Sequence, residues 1–237
     1  MLPSEGKGSR FEFWQGHLNF VKLDKDSFVK GAISLFIGRL LFSWSAMNKS
    51  RIEAFSDGVL AIVITIMVLK LAAPEGASLT ALKAIAPTFF SYILSFVFIG
   101  IYWNNHHHLL QAVEVIDGRI LWANLHLLLW LSLIPFVTAW MGDTMFAAWP
   151  TALYGINLLL AAIAYFILVR ALLARHGEGS LLASAVDNDF KGKISLVIYA
   201  VAIPLAFVST WLAGGRYILV AIMWLIPDRR IESLLTQ

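Results

Sequence analysis

The segment Arg51-Ile-Glu-Ala-Phe-Ser-Asp-Gly-Val-Leu-Ala-Ile-Val-Ile-Thr-Ile-Met-Val-Leu-Lys70 constrains the chain most. It opens on charges and becomes almost wholly apolar. Between Gly58 and Leu69 the only polar side chain is Thr65. A stretch of this kind is at home in a bilayer, where an intramembrane carboxylate such as Asp57 is costly and marks a functional site by default.

The rest of the chain has the same character. Of 237 residues, 59% are hydrophobic and 14% charged, where a soluble domain carries nearer about a quarter charged residues. The chain is therefore predicted to be an all-α, polytopic membrane protein. Without cysteine it can form no disulfide or thiolate-ligated metal site. A net charge of +3 makes no case for nucleic acid as a partner.

A spanning helix needs about 20 apolar residues. Five segments qualify: 54–73, 84–103, 120–140, 152–173 and 194–211, with a shorter sixth at 212–226. The last two form a 33-residue apolar run from Ile194. At 1.5 Å per residue it would reach about 50 Å, too long for one crossing of a core of about 30 Å. Gly214-Gly215-Arg216 is its only turn-like break, and the boundary is expected between Val208 and Arg216. Six spans place both termini in the cytoplasm. Lys49, Arg51, Arg119, Arg170, Arg175, Lys191, Lys193, Arg229 and Arg230 then lie inside, and only Lys70, Lys83 and Arg216 outside, as the positive-inside rule requires. Residues 1–46 are a separate N-terminal extension, either an interfacial amphipathic helix or sequence upstream of a true start at Met47. Residues 47–237 form the six-helix domain.

On a helical wheel Phe55, Gly58, Ile62, Thr65, Ile66 and Leu69 share an arc of about 100°. Asp57 lies on a different face. Were the aliphatic arc to line an axial pore, Asp57 would point back into its own subunit and staple the helix to Arg51, a histidine or an asparagine. Taken alone, the arc reads more simply as lipid-facing surface, and Phe-Ser-Asp-Gly as a helix cap.

Arg51-x-x-x-Phe55-Ser56-Asp57 at the head of the first span resembles the signature of the transmembrane-protein-175 family, which comprises the lysosomal potassium channel of animals and its bacterial and archaeal homologues. The resemblance continues through Pro87, Tyr92 and Ser95-Phe96, Trp103-x-x-His106-His107, Trp122-x-Asn124, Pro135-Phe136 and Ile226-Pro-Asp-Arg-Arg230. It implies six helices per repeat. One repeat per chain is the prokaryotic form, which implies a homotetramer in a prokaryotic inner membrane. It also implies a pore lined by the first helix of each subunit, with a constriction at Ile62, Thr65 or Ile66, and Leu69. The cargo is K+, the lipid bilayer is the surrounding partner, and no cofactor is implied. An apolar ring at Ile62 would block ions when narrow and favour the more cheaply dehydrated potassium when wider. Thr65 would add hydroxyls.

The other polar residues fit around this. His106-His107-His108 cannot all face one site on a helix, so no metal site is expected. Arg51, Ser56, Asp57, one of His106 or His107, and Asn124 fall at one end of their spans and could share a structural network with Phe55. The first rival is a proton-conducting or weakly selective channel on the same scaffold. A secondary transporter would require paired Gly/Pro interruptions near mid-membrane, which are not evident. An enzyme would require a catalytic cluster at some span centre, and none is present.

Overall fold

The computed structural model describes residues 49–177 and 190–225. The expectations for residues 1–46 and for the Ile226–Arg230 ending lie outside these. Among the described residues the structure is helical, with no strand. Its helices are α1 (Lys49–Leu69), the short α2 (Leu79–Ala84), α3 (Ala86–Gln111), α4 (Gly118–Ser132), α5 (Ile134–Asp143), α6 (Ala148–His176), α7 (Phe190–Leu205) and α8 (Thr210–Leu225).

Among the described residues four stretches are long and apolar enough to cross a membrane: α1, α3, α4 continued by α5, and α6. The chain is a membrane protein on this ground. α7 and α8 have 16 residues each, about 24 Å at the α-helical rise. The break between them falls at residues 206–209, while Gly214 and Gly215 lie inside α8. Pro204 lies one residue before the end of α7 and, having no amide hydrogen, leaves the Ala200 carbonyl without its helical donor. The chain then turns through short-range bonds, Phe207 N to Pro204 O at 3.2 Å and Val208 N to Leu205 O at 3.0 Å.

Local signals place the other ends. Asp117 caps α4, its carboxylate accepting from Arg119 N at 2.9 Å and Ile120 N at 3.0 Å. Gly177, at φ 80°, ends α6 in a backbone conformation that glycine adopts without penalty. Pro135 opens α5 and interrupts the third span at Leu133. Within that break Trp130 O accepts from Leu133 N at 3.3 Å and from the Asn157 side-chain amide at 3.1 Å, which ties α6 to the interrupted span.

Two clusters hold the bundle. The first joins the buried side of α1 (Ile52, Leu60, Val63, Met67) to α3, α4 and the second half of α6. The second joins α3, α5 and the first half of α6 to α7 and α8 through Phe98, Tyr154, Tyr199 and Tyr217. At its centre the Tyr217 hydroxyl donates to Thr151 O at 3.0 Å, and Ser95 Oγ bonds both Thr138 Oγ1 (2.7 Å) and the Tyr154 hydroxyl (3.0 Å). The Tyr217 ring reaches this position only because residue 155 is glycine: a Cβ there would run into the Tyr217 hydroxyl. Association in lipid relies on such close packing and interhelical hydrogen bonds, because lipid tails are as apolar as the helices.

Gly155→Val is expected to lower stability by about 1–3 kcal/mol, the usual cost of overpacking. Gly155→Val combined with Tyr217→Phe should recover part of that loss. Thermal unfolding in detergent measures both, and an unaffected single variant would contradict this packing.

Candidate polar network and pore-facing surface

α1 presents two sides. Ile52, Ser56, Leu60, Val63 and Met67 recur every three or four residues and are buried against α3, α4 and α5. Phe55, Ile62, Thr65, Ile66 and Leu69 are exposed, Ile62 at 59% and Leu69 at 81%. Gly58 belongs to the same exposed side. The arc read from the helical wheel is thus the side of α1 turned away from its own subunit. Thr65 Oγ1 donates to the Ile62 carbonyl at 2.8 Å. Its hydrogen is committed to the helix, and its oxygen lone pairs face outward as acceptors.

The polar residues at the Lys49 end of the bundle divide into a buried triad and an exposed chain. In the triad Ser56, His106 and Asn124 are each at most 4% exposed. The Asn124 amide donates to Ser56 Oγ at 3.0 Å, and Asn124 Oδ1 lies 2.7 Å from His106 Nε2. A carbonyl oxygen only accepts, so His106 Nε2 carries the hydrogen. One side chain of α4 therefore ties α1 to α3. Asn124 can do this because Asp117 starts α4 two turns earlier at the same end, and His106 because α3 runs on to Gln111.

Asp57 is not part of the triad. A residue step on a helix is a rotation of about 100°, so Ser56 takes the buried position and Asp57 stands exposed at its flank. Its carboxylate accepts from the Trp103 indole at 2.9 Å. Trp103 in turn stacks on His107 at 5.9 Å and 17°, and the Gln111 side-chain amide donates to His107 Nε2 at 2.8 Å. Lys49 Nζ closes this outer chain on Gln111 O at 3.2 Å. Arg51 is exposed and joins neither set among the described residues. Arg51, a histidine and an asparagine are the partners the sequence suggests for Asp57; the structure gives it Trp103 instead, a residue whose signal in the sequence is its place where the apolar run of the second span ends. No group of three His, Asp or Glu side chains among the described residues is arranged to hold a metal.

The triad and the outer chain differ in what their loss should cost. Asn124→Leu leaves Ser56 and His106 buried without partners and should cost about 1–3 kcal/mol. Asp57→Ala removes one exposed hydrogen bond, about 0.5–1.5 kcal/mol. Unfolding midpoints of the two variants test the order, and a larger loss for Asp57→Ala would reverse it.

Comparison with known proteins places this arrangement. The family model described as endosomal/lysosomal potassium channel TMEM175 matches residues 51–135, a span containing the buried triad and all of the outer chain except Lys49. A potassium channel of a Chryseobacterium species is 54% identical over 191 residues, covering 81% of this chain and 100% of that one. A potassium channel of Chamaesiphon minutus is 30% identical over 73% of this chain and 91% of its own length. The crystal structure of a lysosomal potassium-selective channel TMEM175 homologue from Chamaesiphon minutus superposes with a TM-score of 0.66 at 29% identity, covering 75% of this chain and 96% of that chain. The endosomal/lysosomal proton channel TMEM175 of Danio rerio is 26% identical over 77% of this chain and 37% of its own. With a relative at 54% identity aligned over its entire length, the chain belongs to the TMEM175 channel family.

Proposed function

We propose that the chain is one subunit of a homotetrameric, potassium-selective, leak-type cation channel in a prokaryotic inner membrane, with α1 of each subunit lining the pore. The observation that carries this reading is the outward side of α1. It is a continuous apolar face with a single hydroxyl, on a helix whose opposite side is anchored to α3, α4 and α5. Relatives named as potassium channels support the choice of cargo. Both termini are cytoplasmic in this reading, in keeping with Lys49, Arg119, Arg170 and Arg175 at one end of the bundle. The protein is a channel rather than an enzyme, and it uses no resident cofactor.

In the tetramer four Ile62 side chains form an apolar ring, with Ile66 and Leu69 continuing it. A ring of that kind repels a fully hydrated ion and passes the one that sheds water at lower cost. Thr65 places four hydroxyl oxygens within the same stretch, each already turned outward as an acceptor by its bond to Ile62 O. Such a filter discriminates modestly, because it offers few replacements for lost water. The Ser56–Asn124–His106 triad and the Asp57–Trp103 bond hold α1 at a set rotation, and that rotation decides which side chains meet on the axis.

A second reading, proton conduction on the same scaffold, is favoured by the match to the Danio rerio protein named as a proton channel. Reversal potentials separate the two. Under bi-ionic potassium/sodium conditions the wild type should reverse toward the potassium potential. A reversal that follows only the pH gradient would support proton conduction instead.

Ile62→Asn should raise the leak and lower the potassium/sodium permeability ratio in bilayer recordings. An unchanged ratio would remove Ile62 from the constriction. Light scattering of the purified protein should give four copies of the 26.4 kDa chain, and a monomer would overturn the pore arrangement.

A further inference from the structure

A crevice lies between α3, α6, α7 and α8, away from α1 and its polar networks. Phe98, Ile101, Phe166 and Leu196 supply much of its apolar lining, and Phe166 is 38% exposed. Three of its polar side chains are already engaged within the protein. The Trp224 indole donates to Ser195 Oγ at 2.9 Å, Ser195 Oγ donates to Lys191 O at 2.7 Å, and the Asn105 amide donates to Ile101 O at 2.8 Å. Tyr102, Tyr165 and Tyr199 add their rings and hydroxyls to a lining that is otherwise mainly apolar. Such a lining suits an occupant that is itself mainly apolar.

The described charges on the helices around the crevice are positive. The four helices that bound it carry no Asp or Glu among the described residues. At the end nearer the α6 C-terminus, Arg170 holds its guanidinium 5.3 Å from the centroid of the lining residue Phe166. Lys193 is exposed on α7 next to the lining residue Gly192. An acyl chain gains little by leaving lipid for an apolar crevice, since the two surroundings are alike. Selection among lipids therefore falls to the headgroup and these cations.

We propose that this crevice is a binding site for an anionic phospholipid of the cytoplasmic leaflet, with one acyl chain between α3, α6, α7 and α8 and the phosphate between Arg170 and Lys193. The leaflet assignment rests on the orientation proposed above; the binding does not.

Native mass spectrometry of the protein exchanged into detergent, then offered equal phosphatidylglycerol and phosphatidylcholine, tests this. Wild type should retain phosphatidylglycerol in preference. Ala162→Trp and Leu196→Trp, which fill the crevice, should each abolish retention. Arg170→Gln and Lys193→Gln should lower the preference about fivefold per charge removed, as expected for basic residues at an anionic membrane surface. Undiminished retention in either folded crevice-filling variant would overturn the site. Equal retention of the two lipids by wild type would overturn its anionic character. If one filling variant fails to fold, the other and the charge variants decide. None of these measurements involves ion conduction, so their failure is distinguishable from failure of the channel assignment.

Discussion

Asn124 bridges Ser56 of α1 and His106 of α3 where no solvent can substitute for either partner. In water such a bridge would contribute little, because each group would find another partner on separation. Inside an apolar bundle the alternative is an unsatisfied polar atom, so the geometry is held by what breaking it would expose. The orientation of α1 follows. With Ser56 inward, the 100° step of the helix sets Asp57 at the flank and turns Ile62, Thr65 and Leu69 away from the bundle.

The same accounting governs the other interruptions. Pro135 breaks the third span, and Asn157 of the neighbouring helix covers Trp130 O. After α7 the chain closes its own turn through short-range bonds before α8. Ser95, Thr138 and Tyr154 satisfy one another between α3, α5 and α6. Glycine acts where bulk would forbid approach. At Gly142 a Cβ would stand 2.6 Å from Thr88 Cα, so α5 and α3 meet nearly backbone to backbone. The bundle is held by polar satisfaction and close contact, the two means left when the solvent is itself apolar.

Much of this was legible beforehand. The α1, third and fourth spans lie close to where the apolar runs put them, and the exposed arc of α1 is the one drawn on the wheel. What was not legible has physical reasons. The apolar run of the second span ends at Trp103, yet α3 continues through the polar residues Asn104–His108 to Gln111, and His106 finds its partner on α4, a contact distant in sequence. The Gly214-Gly215 pair reads as a turn, but the two glycines lie inside α8, where helix packing against its neighbours outweighs their weak propensity. The wheel turns Asp57 back toward its own subunit if the aliphatic arc lines a pore, yet Asp57 is exposed. Burial instead went to Ser56, the smaller group that an amide can satisfy.

Thr65 carries a consequence for the sign of charge. Its hydroxyl hydrogen is spent on the Ile62 carbonyl, so the side chain has nothing left to donate to an anion. In the proposed tetramer four such groups present only negative ends of dipoles to the axis. On the proposed reading, discrimination by sign of charge would then come from a local bond within each helix, independent of the diameter set by the aliphatic side chains from Ile62 to Leu69.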